Sequence, residues 1–284
     1  RRMAPTPRAE SHGATTPLPP RDRGNQTGQL DGRVACATGG TRGIGRAPAE
    51  ALLREGAQVV INGRDAEKGQ QAVAEIGGDD VHFITGDMMQ KGDCEALVQG
   101  TVDRFGRIDI LHANAGGAVN PGPVAEITDE AMADTLTWNF WHTFWTMRAA
   151  LGHMIPQESG RIIATSSVEG KLGKPGLSNY VVAKHAINGL VKSAAAEVGT
   201  LGITVNAVCP GAIETDAMQS AGPGAAESMG MSYDELKSMF SEASAIKRLN
   251  EVEDVAAVNV LLASDAGAGI TGSLISIDGG TSPY

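Results

Sequence analysis

Tyr180 and Lys184 stand four residues apart in a stretch, 178–199, whose apolar spacing predicts a helix. Their side chains therefore share one face. An ammonium beside a phenol favours the phenolate and lowers its pKa from about 10. A tyrosine so tuned can donate or accept a proton near neutral pH. The Tyr–Lys spacing alone is common by chance, but Ser167 stands upstream, just past an apolar run at 161–166. A second pattern is the glycine turn TGGTRGIG at 38–45. Gly39 can take the tight turn, Gly43 admits a pyrophosphate close to the backbone, and Gly45 lets a helix pack against the sheet. The helix after this turn faces the phosphates with its free N–H groups.

These groups need a frame that brings them together. The 284 residues are 42% hydrophobic, enough for a full core, so a disordered or collagen-like chain is excluded. From Leu30 onward the pattern alternates strand and helix. Strands are predicted at 33–38, 57–62, 81–85, 108–113, 161–166, 203–208 and 273–277. Helices are predicted at 44–55, 65–76, 90–105, 129–153, 178–199 and 251–263. The implied fold is α/β: a single doubly wound (Rossmann) domain over 31–284, with a seven-stranded parallel sheet and helices on both faces. Ligands bind such sheets at the C-terminal strand ends. Pro48 falls about one turn into the first helix and should distort it slightly without breaking it.

The residues just after the second strand select the cofactor. An acidic residue there would accept the ribose hydroxyls of NAD. This chain has Gly63 and then Arg64, with Arg42 as a second cation in the glycine turn. Two guanidinium groups converging there suit a 2′-phosphate, which favours NADP over NAD.

Taken together, TGGTRGIG (38–45), Asp87, ANAG (113–116), Asn139, Ser167, YVVAK (180–184), Pro210-Gly211 with Thr215, and IDGG (277–280) resemble the classical short-chain dehydrogenase/reductase family over about residues 30–284. The resemblance implies direct hydride transfer between a nicotinamide and a carbonyl or secondary-alcohol carbon. Tyr180 would be the acid/base, and Lys184 would bind the nicotinamide ribose and lower the Tyr180 pKa. Ser167, rather than Ser166, would hydrogen-bond the substrate oxygen, and Asn139 would hold a water of the proton relay. The cofactor would lie against Gly39, Thr41, Arg42, Gly43, Ile44, Gly63, Arg64, Asp87, Met88, Asn114, Ala115, Gly116, Tyr180, Lys184, Pro210, Gly211, Ile213 and Thr215. Asp87 would meet the adenine. No metal is implied. Two departures stand out: Ala113 where the family often has Asn, and Cys36 in the first strand, read as a buried, inert thiol.

The expected substrate is a small, cyclic or polyketide-like carbonyl or alcohol. Relatives that reduce carrier-protein thioesters typically carry basic residues where this chain has Glu158 and Leu201, which argues against an acidic carrier. The alternatives are an NAD-dependent secondary-alcohol dehydrogenase, a 3-oxoacyl reductase, or a cofactor-binding sensor without turnover. Segment 216–247 holds four of the ten Met and is expected to form a substrate lid. Glu169, Lys171, Lys174, Asn179 and Ala118 are expected to border the pocket. In WNFWHTFW (138–145), Trp138, Trp141 and Trp145 recur on one helical stripe. Such a stripe would pack in the core or against a second copy, as family members pair into dimers and tetramers.

A net charge of −10 argues against nucleic acid. No run of 18 apolar residues suggests a membrane span. Three Cys without CxxC spacing suit a reducing cytoplasm. Residues 1–30 hold five of the thirteen Pro and five Arg against one Asp and one Glu. They are expected to form a flexible tail.

Overall fold

Short apolar runs bounded by glycines pair edge to edge in the computed structural model, which describes residues 28–282. The strands are β1 (Val34–Ala37), β2 (Gln58–Gly63), β3 (Val81–Thr85), β4 (Ile110–Ala113), β5 (Gly160–Thr165), β6 (Ile203–Pro210) and β7 (Leu274–Ile277). They form one sheet in the order β3-β2-β1-β4-β5-β6-β7, and every pairing is parallel. Val34 lies opposite Gln58 on one side of β1, and Ala35 lies opposite Ile110 on the other. The order therefore reverses between β1 and β4, and a crevice opens beyond their C-terminal ends. Buried Asp109 fixes that junction: its carboxylate accepts Val34 N–H at 2.9 Å and a two-pronged contact from Arg107.

The helices are α1 (Gly43–Arg54), α2 (Ala66–Ile76), α3 (Lys91–Phe105), α4 (Asp129–Leu136), α5 (His142–Gln157), α6 (Ser178–Val198), α7 (Asp216–Ser228), α8 (Tyr233–Ala243) and α9 (Val252–Ala263). Successive strand side chains point to opposite faces, so each strand feeds two cores. Cys36, Leu111, Ile162 and Val205 pack with Leu97, Met147 and Ile187 of α3, α5 and α6. Ala35, Ala37, Ile110 and Ile163 pack with Leu52 of α1 and Leu262 of α9. Cys36 is fully buried, and burial pushes its thiol up to about 12, where it is inert.

The structure refines three expectations. The helix predicted at 129–153 is interrupted: Thr137–Trp141 forms a π-helical turn between α4 and α5. A π turn inserts a residue relative to α-helical phase, so Trp138 leaves the stripe, while Trp141 and Trp145 stack on each other. Trp145 packs on the core, Trp141 is 42% exposed, and Trp138 faces the crevice. Segment 216–247 forms α7 and α8, with a capping box at Ser232 and Glu235 starting the second. Pro48 lies buried inside an unbroken α1. Of the expected tail, residues 1–27 lie outside the described residues. Leu30, at its inner edge, is buried and belongs to the core. Among the described residues no helix is long and apolar enough to cross a membrane, and no cluster of three potential metal ligands occurs.

Candidate active site

The crevice at the C-terminal ends of β1, β2, β4 and β5 is a cleft of about 590 Å³. One end is built by the glycine turn. Gly39 and Gly43 have φ of +63° and +53°, a conformation that L side chains rarely adopt. A Cβ at Gly45 would stand 2.2 Å from the Gly39 carbonyl oxygen. The turn therefore folds back on itself only with glycine there. Arg42 occupies the N-cap of α1 without a side-chain cap, and no acidic residue lies in the first turn. The leading N–H groups of α1 are left for an anion, as a pyrophosphate requires.

Beside this turn, Arg42, Arg64 and Lys68 border the cleft. Among the described residues, Arg42 and Arg64 make no ion pair. Asp65 also borders it, but its carboxylate caps α2, accepting Lys68 N–H at 3.1 Å. Further along lie Asp87 and Met88 after β3. Asp87 accepts Met89 N–H at 3.1 Å, which shapes that loop. Asn114, Ala115 and Gly116 come after β4.

The loop after β4 is held by a buried relay that sequence reading missed. Thr38 Oγ1 accepts N–H from both Asn114 and Ala115, at 2.8 and 2.9 Å. Its one proton then goes to His142 Nε2, 3.1 Å away. His142 Nδ1–H must in turn donate to the carbonyls of Trp138 and Asn139. Burial, with the Lys184 charge nearby, pushes His142 down to about 3, so the neutral tautomer persists. Its spacing gave no signal, because a lone His in an apolar helix reads as core.

At the other end of the cleft, α6 presents Tyr180 and Lys184. Lys184 Nζ donates to Thr165 O at 2.8 Å and lies 5.3 Å from the Tyr180 ring centroid. Burial lowers the Lys184 pKa to about 8. Burial raises the Tyr180 pKa, the Glu169 charge raises it further, and a Ser167 hydrogen bond pulls the other way. Ser167 is buried beside the phenol and donates to the Glu169 carboxylate. Ser166 instead turns to Lys184 O.

Asn139 lies in the π turn and is fully buried. Its side-chain amide grips Gly117 on both backbone groups and also Thr135 O. Its own carbonyl accepts from Thr143 Oγ1 at 2.7 Å as well as from His142. Asn139 thus sits behind the cleft surface.

Three expected cofactor residues do not line the cleft. Pro210 is buried at the end of β6, Gly211 N–H is bonded to Ile277 O, and Ile213 is buried and bridged to Asn250. They shape the turn that delivers Thr215, which does line it and caps α7. Ala118, Glu169, Lys171, Lys174 and Asn179 are likewise absent from this lining. Asn179 is fully buried, donating to Val119 O and Thr135 Oγ1 and accepting Tyr180 N–H. It anchors the start of α6. Asn62, Lys68 and Thr165 line the cleft without having been singled out, and Trp138, expected in the core or against a second copy, lines it as well. The usable signal was for Lys68, one turn into α2 beyond Arg64.

The residues fit a dinucleotide: close-approach glycines, an uncapped helix start and two arginines lie along one cleft. The chain matches the family model described as short chain dehydrogenase over residues 33–226. It is 36% identical over 251 residues to 3-oxoacyl-(acyl-carrier-protein) reductase FabG of Haemophilus influenzae, covering 88% of this chain and 98% of that one. It is 37% identical over 253 residues to 2,5-dichloro-2,5-cyclohexadiene-1,4-diol dehydrogenase of Sphingobium indicum, covering 88% and 97%. An actinorhodin polyketide ketoreductase structure with NADPH superposes with a TM-score of 0.85 at 31% identity, covering 91% of this chain and all of that one.

Proposed function

Because this chain belongs to the short-chain dehydrogenase/reductase family, an oxidoreductase family, we propose that it transfers hydride between NADP(H) and the carbonyl or secondary-alcohol carbon of a small, cyclic or polyketide-like substrate, with Tyr180 as the acid/base. The observation that carries this reading is the position of Tyr180 and Lys184 on one turn of α6, at the far end of the cleft that begins at the uncapped start of α1. The nicotinamide cofactor, when bound, supplies or takes the hydride.

Everything else falls to the chain. In reduction the Tyr180 phenol protonates the nascent alkoxide; in oxidation the phenolate takes the alcohol proton. Ser167 orients the reacting oxygen. Lys184, held by Thr165 O, offers its remaining protons to a ribose. The glycine turn and α1 take the pyrophosphate. Arg42 and Arg64, with Lys68 beside them, support NADP, since the carboxylate next to Arg64, Asp65, is committed to capping α2.

Two copies are expected to pair through the aromatic face of Phe140, Trp141 and Phe144, with Val182 of α6 also exposed. NADPH consumption against a panel of ketones tests the function. Tyr180→Phe should lower kcat on the order of a hundredfold or more while NADPH affinity stays near the wild-type value. Near-normal kcat in that variant would defeat the assignment.

A further inference from the structure

We propose that His142 is a positioning residue for the cleft-lining loop 114–117: it closes a ring of buried hydrogen bonds that holds this loop in the place from which it binds the cofactor. The inference rests on the reading of the cleft as a nicotinamide-cofactor site.

The loop after β4 is gripped at both ends. At its start, Asn114 and Ala115 each donate N–H to Thr38 Oγ1, at 2.8 and 2.9 Å. At its end, the Asn139 side chain accepts Gly117 N–H at 3.2 Å and donates to Gly117 O at 2.7 Å. The first grip follows β1 and the second lies in the π turn. His142, which is buried, joins them. Its Nε2 takes the Thr38 hydroxyl proton at 3.1 Å, and its Nδ1–H donates to Trp138 O and Asn139 O at 3.0 and 3.1 Å. The ring is then closed: Thr38, the loop, Asn139, His142 and back to Thr38. A hydroxyl has one proton and two lone pairs. Both Thr38 lone pairs are taken by the loop, so its proton is the link to His142.

This ring surrounds the point where the loop meets α6. A Cβ on Gly116 would collide with Asn139 Oδ1 and stand 3.5 Å from Lys184 Nζ. A Cβ on Gly117 would stand 2.7 Å from the Trp138 ring. Gly116, Trp138 and Lys184 all line the cleft. Lys184 has an anchor of its own, Thr165 O. Loosening the ring therefore moves the loop and leaves the Tyr180–Lys184 pair in place. Without an acceptor at His142 the buried Thr38 proton is stranded, and the hydroxyl finds another partner only by turning away from the loop amides. Asn114 Nδ2 still donates to Thr38 O at 3.2 Å, so the loop loosens without unfolding.

The test separates the two nitrogens of the imidazole. His142→Gln keeps an acceptor near the Nε2 position, His142→Asn keeps a donor near the Nδ1 position, and His142→Leu fills the space with neither. In His142→Gln the Asn139 carbonyl still has Thr143 Oγ1 as a donor. NADPH affinity is titrated for each variant, and kcat is read at saturating NADPH. His142→Leu and His142→Asn should weaken NADPH binding about three- to tenfold, with kcat within about twofold of wild type, and His142→Gln should stay within about twofold in both. In a Thr38→Val background, which already lacks the hydroxyl, His142→Leu should add less than about twofold, whereas independent packing losses add in full. Unchanged affinity in all three variants, equal losses in Gln and Leu, additive losses in the cycle, or a fall in kcat with NADPH affinity unchanged overturns the proposal. If His142→Leu does not fold, Gln against Asn makes the same comparison. Wild type that binds neither NADPH nor NADH would sink the reading of the cleft. Amide exchange without cofactor still answers for His142, because Asn114 and Ala115 should exchange faster in His142→Asn and not in His142→Gln; equal exchange in the two is contrary.

Discussion

Arg64 and Arg42 stand at the cleft with no ion pair among the described residues, and the proposed preference for NADP turns on them. Each charge-assisted contact to a 2′-phosphate is worth about 1.5–3 kcal/mol. Arg64→Ala should therefore weaken NADPH binding about tenfold to a hundredfold and leave NADH nearly unchanged. Titration of both cofactors at one ionic strength decides the matter. Tighter NADH binding by the wild type would defeat the phosphate reading. Gly63→Asp with Arg64→Ala should invert the preference, although the new Cβ must displace Thr41 Cγ2, 2.9 Å from its position. At this scale Arg42, Arg64, Tyr180 and Lys184 were legible, because each is marked by a short spacing. Lys68 and Trp138 were not, because their nearness to the cleft depends on how α2 and the π turn are placed.

Among the elements, the glycine turn leaves least room for change. Gly45→Ala would put a methyl 2.2 Å from the Gly39 carbonyl oxygen, a contact relieved only by backbone movement. We expect about 1–3 kcal/mol of destabilisation and a large loss of cofactor affinity, read by thermal melts with and without NADPH. An unchanged melt would show that the turn relaxes freely. The π turn is the element that sequence did not reveal. Apolar periodicity runs through 129–153 without a break, and nothing local marks the extra residue. The turn is held by tertiary bonds instead, from Asn139 to Gly117 and from His142 to Thr38. One result is that Trp141 points outward, stacked on Trp145 at 6.0 Å between centroids. Trp141→Glu should shift the protein toward monomer in sedimentation or light scattering, because a charge on a desolvated face is costly. A monomeric wild type would remove the basis for that pairing.

The whole molecule responds to pH through two buried imidazoles. Burial holds His112 down to about 4 and His142 down to about 3, from an ordinary value of 6.5. Between pH 6.5 and those values the unfolded chain binds protons that the folded chain refuses. The stability that these two groups contribute is therefore full above pH about 6.5 and falls as pH drops toward 4, with a slope of up to two protons. Urea midpoints across that range measure it. His112 makes one bond, to Thr165 Oγ1, and its other nitrogen is buried without a partner. His112→Val should flatten the dependence by about one proton, and an unchanged slope would exclude His112 as a source.

The alternation of strand and helix, the seven strands and the glycine turn were determined by the sequence alone, because each depends on local period and on residues that punctuate it. The Tyr–Lys pair was legible for the same reason: four residues on a helix fix a shared face. What tertiary structure decided was which groups meet across the chain. Thr38, after β1, holds the loop after β4 through the N–H groups of Asn114 and Ala115. Gly211 bonds to Ile277 of β7 and Ile213 bridges to Asn250, contacts that no local spacing marks. Glu169, two residues from Ser167, accepts its hydroxyl and pairs with Lys174. Spacing carries information within one element; the ionisation of a buried phenol depends on the charges that every neighbouring element brings to it.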